Sequence, residues 1–180
     1  DLPLIECIAK TEKPMIISTG MANFEEIGEA VETARTNGCN QLAILHCVSG
    51  YPAPHTDYNL KTILDIKEKF NVVTGISDHT VSNTTSITSI AFGASIIEKH
   101  FTTSREDEGP DSTFSLEPKE LKALVEDSRI AWESIGKINY DKKESEIPNI
   151  KFRRSLYYVK DLKAGSVLKV SDFKSVRPGY

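Results

Sequence analysis

Four short apolar runs recur along the first part of the chain: Met15-Ile16-Ile17, Leu42-Ala43-Ile44-Leu45, Val72-Val73-Thr74-Gly75-Ile76 and Ala94-Ser95-Ile96-Ile97. Continuous rather than alternating runs suit strands covered on both faces, as in a parallel sheet. Between them the period lengthens to that of a helix. Ile27, Ala30, Val31 and Ala34 share one helical face, preceded by Asn23 and Glu26 in capping-box spacing and followed by Asn37-Gly38 as a stop. Leu60, Ile63 and Leu64 predict a second, shorter face, and Ile87, Ile90 and Ala91 a third. Leu121, Leu124, Val125, Ser128, Trp132 and Ile135 predict the fourth, with Pro118 at a first-turn position and Gly136 where a helix stops. Residues 14–136 thus read as four βα units, an α/β architecture, either a doubly wound sheet or part of an eight-stranded barrel.

The pattern then changes. Residues 138–151 are polar, with Lys142-Lys143-Glu144-Ser145-Glu146 and Pro148, and read as a linker. Ser155 to Val159 predicts a strand and Asp161 to Gly165 a turn; Val167-Leu168 and Ser171-Asp172-Phe173 open a further element. Residues 152–180 therefore read as the beginning of a small β-rich module.

Composition narrows the function classes. Among 180 residues, 22 Lys and Arg face 26 Asp and Glu, for a net charge of −4. That balance argues against a nucleic-acid partner, which calls for a basic field. No apolar run approaches the roughly 18 residues of a membrane span. The 3 cysteines, Cys7, Cys39 and Cys47, form no CxxC, so neither a disulfide framework nor a zinc knuckle is expected, and the reduced cytoplasm is the expected compartment. The first residue is Asp rather than Met and no signal-peptide pattern follows it, which suggests an excerpt of a longer soluble protein.

In parallel α/β folds chemistry gathers where strands end. The strand ends here carry Ser18-Thr19, His46-Cys47-Val48-Ser49, Ser77-Asp78-His79-Thr80 and Glu98-Lys99-His100. His79 and His100, delivered by neighbouring strands about 4.8 Å apart, can converge on one divalent ion, with Glu98 on the same side two residues before His100. Mn²⁺, Fe²⁺, Co²⁺ and Zn²⁺ all suit such a nitrogen–oxygen site. The alternative is two unrelated polar histidines, one of them hydrogen-bonded to backbone. His46 and Cys47 point to opposite faces, which argues against a thiolate nucleophile and makes Cys47 core filler. There is no GxSxG, GxGxxG or GxxxxGK[ST]. The hydroxyls of Ser18, Ser49, Tyr51, Ser77 and Thr80 can hold phosphate or sugar oxygens, or serve as turn residues. Lys151, Arg153 and Arg154 read as a solvated basic face.

Several strings are more specific. Leu45 to Pro54 (LHCVSGYPAP) resembles the LHCxSxYPAP segment of the sialic acid synthase family. Gly75 to Thr80 resembles its GLSDHT strand, Gly93 to Thr102 its GAxxIEKHFT segment, and Gly109-Pro110-Asp111 with Ser115-Leu116-Glu117-Pro118 its GPD…SLEP loop. Lys13-Pro14 with Ser18-Thr19-Gly20-Met21, and Arg177-Pro178-Gly179, complete the order along the whole chain. The resemblance implies a condensation of phosphoenolpyruvate with an N-acetylated amino sugar, giving a nonulosonic acid and phosphate. It implies the C-terminal half of a TIM barrel over 1–137, the linker over 138–151, and the start of a small SAF (antifreeze-like) domain over 152–180, exchanged across a homodimer. His79 and His100 would be Mn²⁺ ligands, with Glu98 near the metal or its water. Asp111 would bind sugar hydroxyls or the metal; Glu98 and Asp111 are thus the expected catalytic residues. Ser49, Tyr51 and Ser77 would line the substrate pocket, and Arg177 would reach the partner's site to touch the N-acetyl group.

The loop Asp111-Ser112-Thr113-Phe114-Ser115 resembles that of the pseudaminic acid synthase branch, with the N-acetylneuraminate and legionaminate branches as alternatives. A non-catalytic sugar-binding relative is the alternative of another class. A whole TIM barrel takes about 250 residues, so the resemblance further implies a fragment that begins near the end of the fourth βα unit and is inactive alone.

Overall fold

The computed structural model describes residues 1–177 and divides into two units, Asp1–Gly136 and the residues from Lys137 onward. In the first unit, helix α1 (Leu2–Ala9) precedes strand β1 (Met15–Ser18), followed by α2 (Phe24–Thr36), β2 (Leu42–Cys47), α3 (Thr62–Phe70), β3 (Val73–Asp78), α4 (Thr84–Ala91), β4 (Ile96–Lys99) and α5 (Pro118–Ile135). The four strands form one parallel sheet in chain order, curled as a half-barrel.

Period-2 alternation sorts each strand's residues to two faces. On the helix-covered face, Met15, Leu42 and Ile44 pack with Ala9, Val31, Ala34 and Ile66, while Ile76 packs with Tyr58, Ile63 and Ala94. On the other face Ile16 and Val73 are exposed at 59% and 51%. At Gly75 the strands come so close that a Cβ would lie 2.4 Å from the Ile96 carbonyl oxygen and 2.6 Å from Leu45 Cδ2. A side chain here has no room.

The helix ends follow the sequence closely. Glu26 N–H donates to Asn23 Oδ1 (2.9 Å) and Asn23 N–H to Glu26 Oε2 (2.8 Å), so the capping box closes both ways. Pro118 occupies the first turn of α5 and Gly136, at φ +50°, ends it. Four boundaries differ from expectation. The third strand begins at Val73, and the fourth at Ile96, because Ala94 is drawn into the core beneath it. Leu60 precedes α3 and packs against the second core cluster from a turn. Helix α1 had no counterpart in the strand-and-helix count; Asp1 caps it, accepting from Leu4 N–H, and Pro3 stands in its first turn.

The apolar face expected on α5 is mostly uncovered. α4 packs against α5 and Leu124 is buried, but Val125, Trp132 and Ile135 are 59%, 68% and 53% exposed. Among the described residues no helix is long and apolar enough to cross a membrane.

In the second unit, the stretch read as a linker contains a 3-10 helix, Glu144–Phe152, which includes Pro148. Strands β5 (Ser155–Tyr158) and β6 (Phe173–Val176) pair antiparallel, with Tyr158 and Phe173 rings 4.8 Å apart. Lys160 Nζ lies 2.6 Å from the buried Asp172 and holds its carboxyl below the usual range. Of Arg177-Pro178-Gly179, Arg177 ends the described residues and is exposed; Pro178 and Gly179 lie outside them.

The crowding at Gly75 predicts that Gly75→Ala lowers unfolding stability by about 1–3 kcal/mol, the usual cost of overpacking. A urea midpoint equal to the parent's would contradict the close approach of β3 to β2 and β4.

Candidate functional site

The register of β3 on β4 builds the site. Ser77 stands opposite Glu98, and Asp78 opposite Lys99. His79 and His100 come next on each chain. Ser77 and Glu98 share the open face, where Ser77 Oγ donates to Glu98 Oε1 (2.8 Å). Asp78 and Lys99 turn to the helix-covered face and pair there, with Nζ to Oδ2 at 3.0 Å and side chains 0% and 3% exposed.

The two histidine rings end with centroids 5.2 Å apart and planes at 61°. Tyr51 lies over His79 at 4.3 Å and reaches His100 at 5.9 Å. Phe114 stands 5.0 Å from His100 and 5.8 Å from Tyr51. The β2 loop, the β3 and β4 ends and the loop before α5 therefore all contribute to one cluster.

His79 is held at three points. Its backbone N–H donates to Tyr58 Oη (2.7 Å), and its carbonyl accepts from Ala53 N–H (3.1 Å). Its ring Nδ1 lies 2.8 Å from the Val48 carbonyl oxygen. A carbonyl can only accept, so Nδ1 carries a proton, which makes Nε2 the nitrogen a metal would use. His100 is fixed by its carbonyl, which accepts from Leu116 N–H (2.8 Å), and its Nδ1 lies 3.4 Å from Asp111 Oδ2. Ser115 Oγ in turn donates to the Asp111 carbonyl (2.7 Å).

Do these residues fit a divalent ion? With nitrogen–metal bonds of about 2.1 Å, two imidazoles on adjacent coordination positions have centroids roughly 4.5–5.5 Å apart. The observed separation, 5.2 Å, falls in that window. Among the described residues no group of three or more His, Cys, Asp or Glu side chains closes a complete ligand set. Within them, the protein's contribution to any such ion is the pair of imidazoles.

Of the other expected site residues, Tyr51 stands in this cluster, while Ser77, two residues before His79 on β3, is bonded to Glu98. Ser49 lies on the same β2 loop, where its Oγ faces Gly20 across 3.7 Å to the position a Cβ would take. Arg177 belongs to the second unit. His46 turns away as alternation requires: its Nε2 donates to the Tyr58 carbonyl (2.5 Å), and burial pushes its pKa below the ordinary histidine value. Cys47 is buried, as a core residue should be, with its Sγ 4.0 Å from His79 Nδ1.

Sequence reasoning missed Tyr58 and the Asp78–Lys99 pair. Tyr58 is fully buried; its hydroxyl donates to the Ser77 carbonyl (3.1 Å) while accepting from His79. Burial pushes the phenol far above its usual pKa, so it remains a donor. Asp78 and Lys99 did carry a signal: opposite charges, each one residue before a histidine, on strands that pair in register.

The NeuB family model matches residues 1–140 of the chain. A pseudaminic acid synthase of Campylobacter jejuni is 41% identical over 180 residues, covering 100% of this chain and 52% of that protein. An N,N'-diacetyllegionaminic acid synthase of the same species is 40% identical over 181 residues, covering 99% of this chain and 54% of that one. Among solved structures, the N-acetylneuraminic acid (sialic acid) synthetase of Leptospira borgpetersenii, in complex with citrate, superposes with a TM-score of 0.75 at 35% identity, over 84% of this chain and 53% of that one. The chain thus spans about half the length of the curated relatives it matches.

Tyr58→Phe leaves the His79 N–H and the Ser77 carbonyl without their buried partner. The expected loss is about 1–3 kcal/mol of unfolding free energy, read by urea denaturation; a loss below about 0.5 kcal/mol, the lower end for a net hydrogen bond, would show that the hydroxyl is not the tie described.

Proposed function

The chain belongs to the NeuB family, and from that premise we propose that it forms part of a nonulosonic acid synthase that joins phosphoenolpyruvate to an N-acetylated amino sugar. The observation that carries this reading is the meeting of His79, His100, Asp111, Tyr51 and the Ser77–Glu98 pair at the C-terminal end of a parallel sheet. That is where βα folds place their chemistry.

His79 and His100 would hold a divalent cation, Mn²⁺ in our proposal. When bound, such an ion polarises a carbonyl oxygen as a Lewis acid. The chain's own groups do the remainder. Asp111, its side chain 56% exposed beside His100, is placed to accept hydrogen bonds from sugar hydroxyls. Tyr51, 56% exposed, forms an aromatic wall against which a sugar ring can rest. Glu98, oriented by Ser77, accepts a proton from the water that attacks C2 of the phosphoenolpyruvate unit. In the overall reaction C3 of phosphoenolpyruvate bonds to the sugar's aldehyde carbon, whose oxygen takes up a proton to become a hydroxyl; a water oxygen adds at C2; and the bond from C2 to the phosphate oxygen breaks, releasing phosphate and leaving a ketone at C2. Holding both substrates in one frame supplies the proximity on which such a condensation depends.

We further propose pseudaminic acid synthase as the specific member. The Asp111-to-Ser115 loop, with Phe114 packed on His100, supports it. The near-equal identities to a pseudaminic and a legionaminic acid synthase make the second the competing reading. Residues 152–180 are proposed as the start of a SAF domain, with Arg177 reaching the N-acetyl group in the partner's site of a domain-swapped homodimer in the cytoplasm. The antiparallel pairing of β5 with β6 in a separate unit supports that assignment.

The test is phosphate release by the full-length protein given Mn²⁺, phosphoenolpyruvate and either 2,4-diacetamido-2,4,6-trideoxy-altrose or N-acetylmannosamine. Release is expected with the altrose sugar. Release with N-acetylmannosamine instead would transfer the assignment to the N-acetylneuraminate branch, and release with neither sugar nor the legionaminate precursor would remove the synthase reading. His79→Asn and His100→Asn should each reduce the rate by roughly 100-fold or more, beyond the 10–100-fold typical of a residue that only supports a ligand.

A further inference from the structure

The residues next to the two histidines face away from the site, yet they are tied to each other more thoroughly than any side chain within it. Lys99 Nζ makes three contacts: Asp78 Oδ2 at 3.0 Å, the Thr80 carbonyl at 2.7 Å and the Ser82 carbonyl at 3.2 Å. An ammonium has three donors, so the set is complete. Asp78 accepts in addition from Thr80 N–H at 2.8 Å and from Ser86 Oγ of α4. The residues immediately before and after His79 are thus both tied to the residue immediately before His100.

Nothing in the sheet itself calls for charge at this level. One row below, the helix-covered positions hold Ile76 between Ile97 and His46, whose ring is bonded to the Tyr58 carbonyl, and two rows below Thr74 beside Ile44; among the described residues neither row carries an ion pair. A buried pair is a poor source of stability compared with apolar residues of similar size. Its placement, confined to the row where the histidines emerge, is explained if it sets their geometry. Lys99 and Asp78 fix how far β3 and β4 can slide or splay at their ends. Tyr58 and Val48 then orient His79 within that frame.

We propose that the Asp78–Lys99 ion pair is a positioning device that holds the His79 and His100 imidazoles at the separation and in the tautomer a divalent cation needs. The metal half of this inference rests on the reading given under Proposed function. The positional half stands on the hydrogen-bond network alone.

Two readouts on full-length protein test it. The first is the histidine-ring nitrogen NMR spectrum of the metal-free protein, in which His79 should show a single Nδ1-protonated tautomer. The second is the Kd for Mn²⁺ by calorimetry. Lys99→Met should produce mixed tautomers at His79 and raise the Mn²⁺ Kd about 10–100-fold, the range for lost outer-shell support; Lys99→Arg, which keeps the charge, should recover a large part of both. Should Lys99→Met fail to fold, D78N/K99Q, which keeps polar ends and removes both charges, carries the same comparison. A folded variant with parental His79 signals and a Kd within about twofold of the parent, well inside the 10–100-fold expected, overturns the proposal. If the parent itself binds no Mn²⁺, the metal reading fails, and the His79 signals still decide whether the ion pair positions the ring.

Discussion

Much of this architecture depends on one buried contact, the Lys99 ammonium against the Asp78 carboxylate. Removing two charges from water costs several kcal/mol each unless every donor and acceptor is met. Here the surrounding loops meet them: two carbonyls and a backbone N–H of the 80–82 turn, and a serine hydroxyl from α4. The turn after β3 takes its shape by satisfying the pair, and the pair is tolerated because the turn takes that shape. The β4 end, the β3 loop and α4 are thereby fastened at one point, directly behind the row from which His79 and His100 project.

A second layer extends the same logic to β2. Tyr58 enters from the loop after β2 and places one hydroxyl between the Ser77 carbonyl and the His79 N–H, while its own carbonyl takes His46. Ala53 N–H and the Val48 carbonyl then meet His79 from the same loop. Three consecutive strand ends converge through backbone groups rather than through the side chains that would touch substrate. A site built this way has its shape before any ligand arrives, which lowers the ordering cost of binding.

Much of the fold was legible because strands buried in a parallel sheet show themselves as unbroken apolar runs, and Asn23, Pro118 and Gly136 mark helix ends by backbone chemistry. The paired histidines were legible for a related reason: strand ends are where polar residues have no structural excuse. Tyr58 was not, since nothing local distinguishes an aromatic residue that fills a core from one that also bridges a carbonyl and an amide. Lys99 and Asp78 looked like ordinary strand-end charges until the register placed them opposite each other. The exposed Trp132 and Val125 of α5 show the converse limit: periodicity reveals that a face is apolar but not whether anything within the same unit covers it.

The alternation of side chains along β3 and β4 also separates two kinds of heritable change. Ser77 and Glu98 stand on the open face, while Asp78 and Lys99, one residue on, lie behind the sheet. A substitution at the exposed Glu98 can alter the chemistry of the open face without touching the ion pair behind it. A substitution at 78 or 99 disturbs the frame whatever ligand is bound. A lineage built on this scaffold can therefore vary the open face through every second residue of a strand while the intervening residues keep the sheet in register.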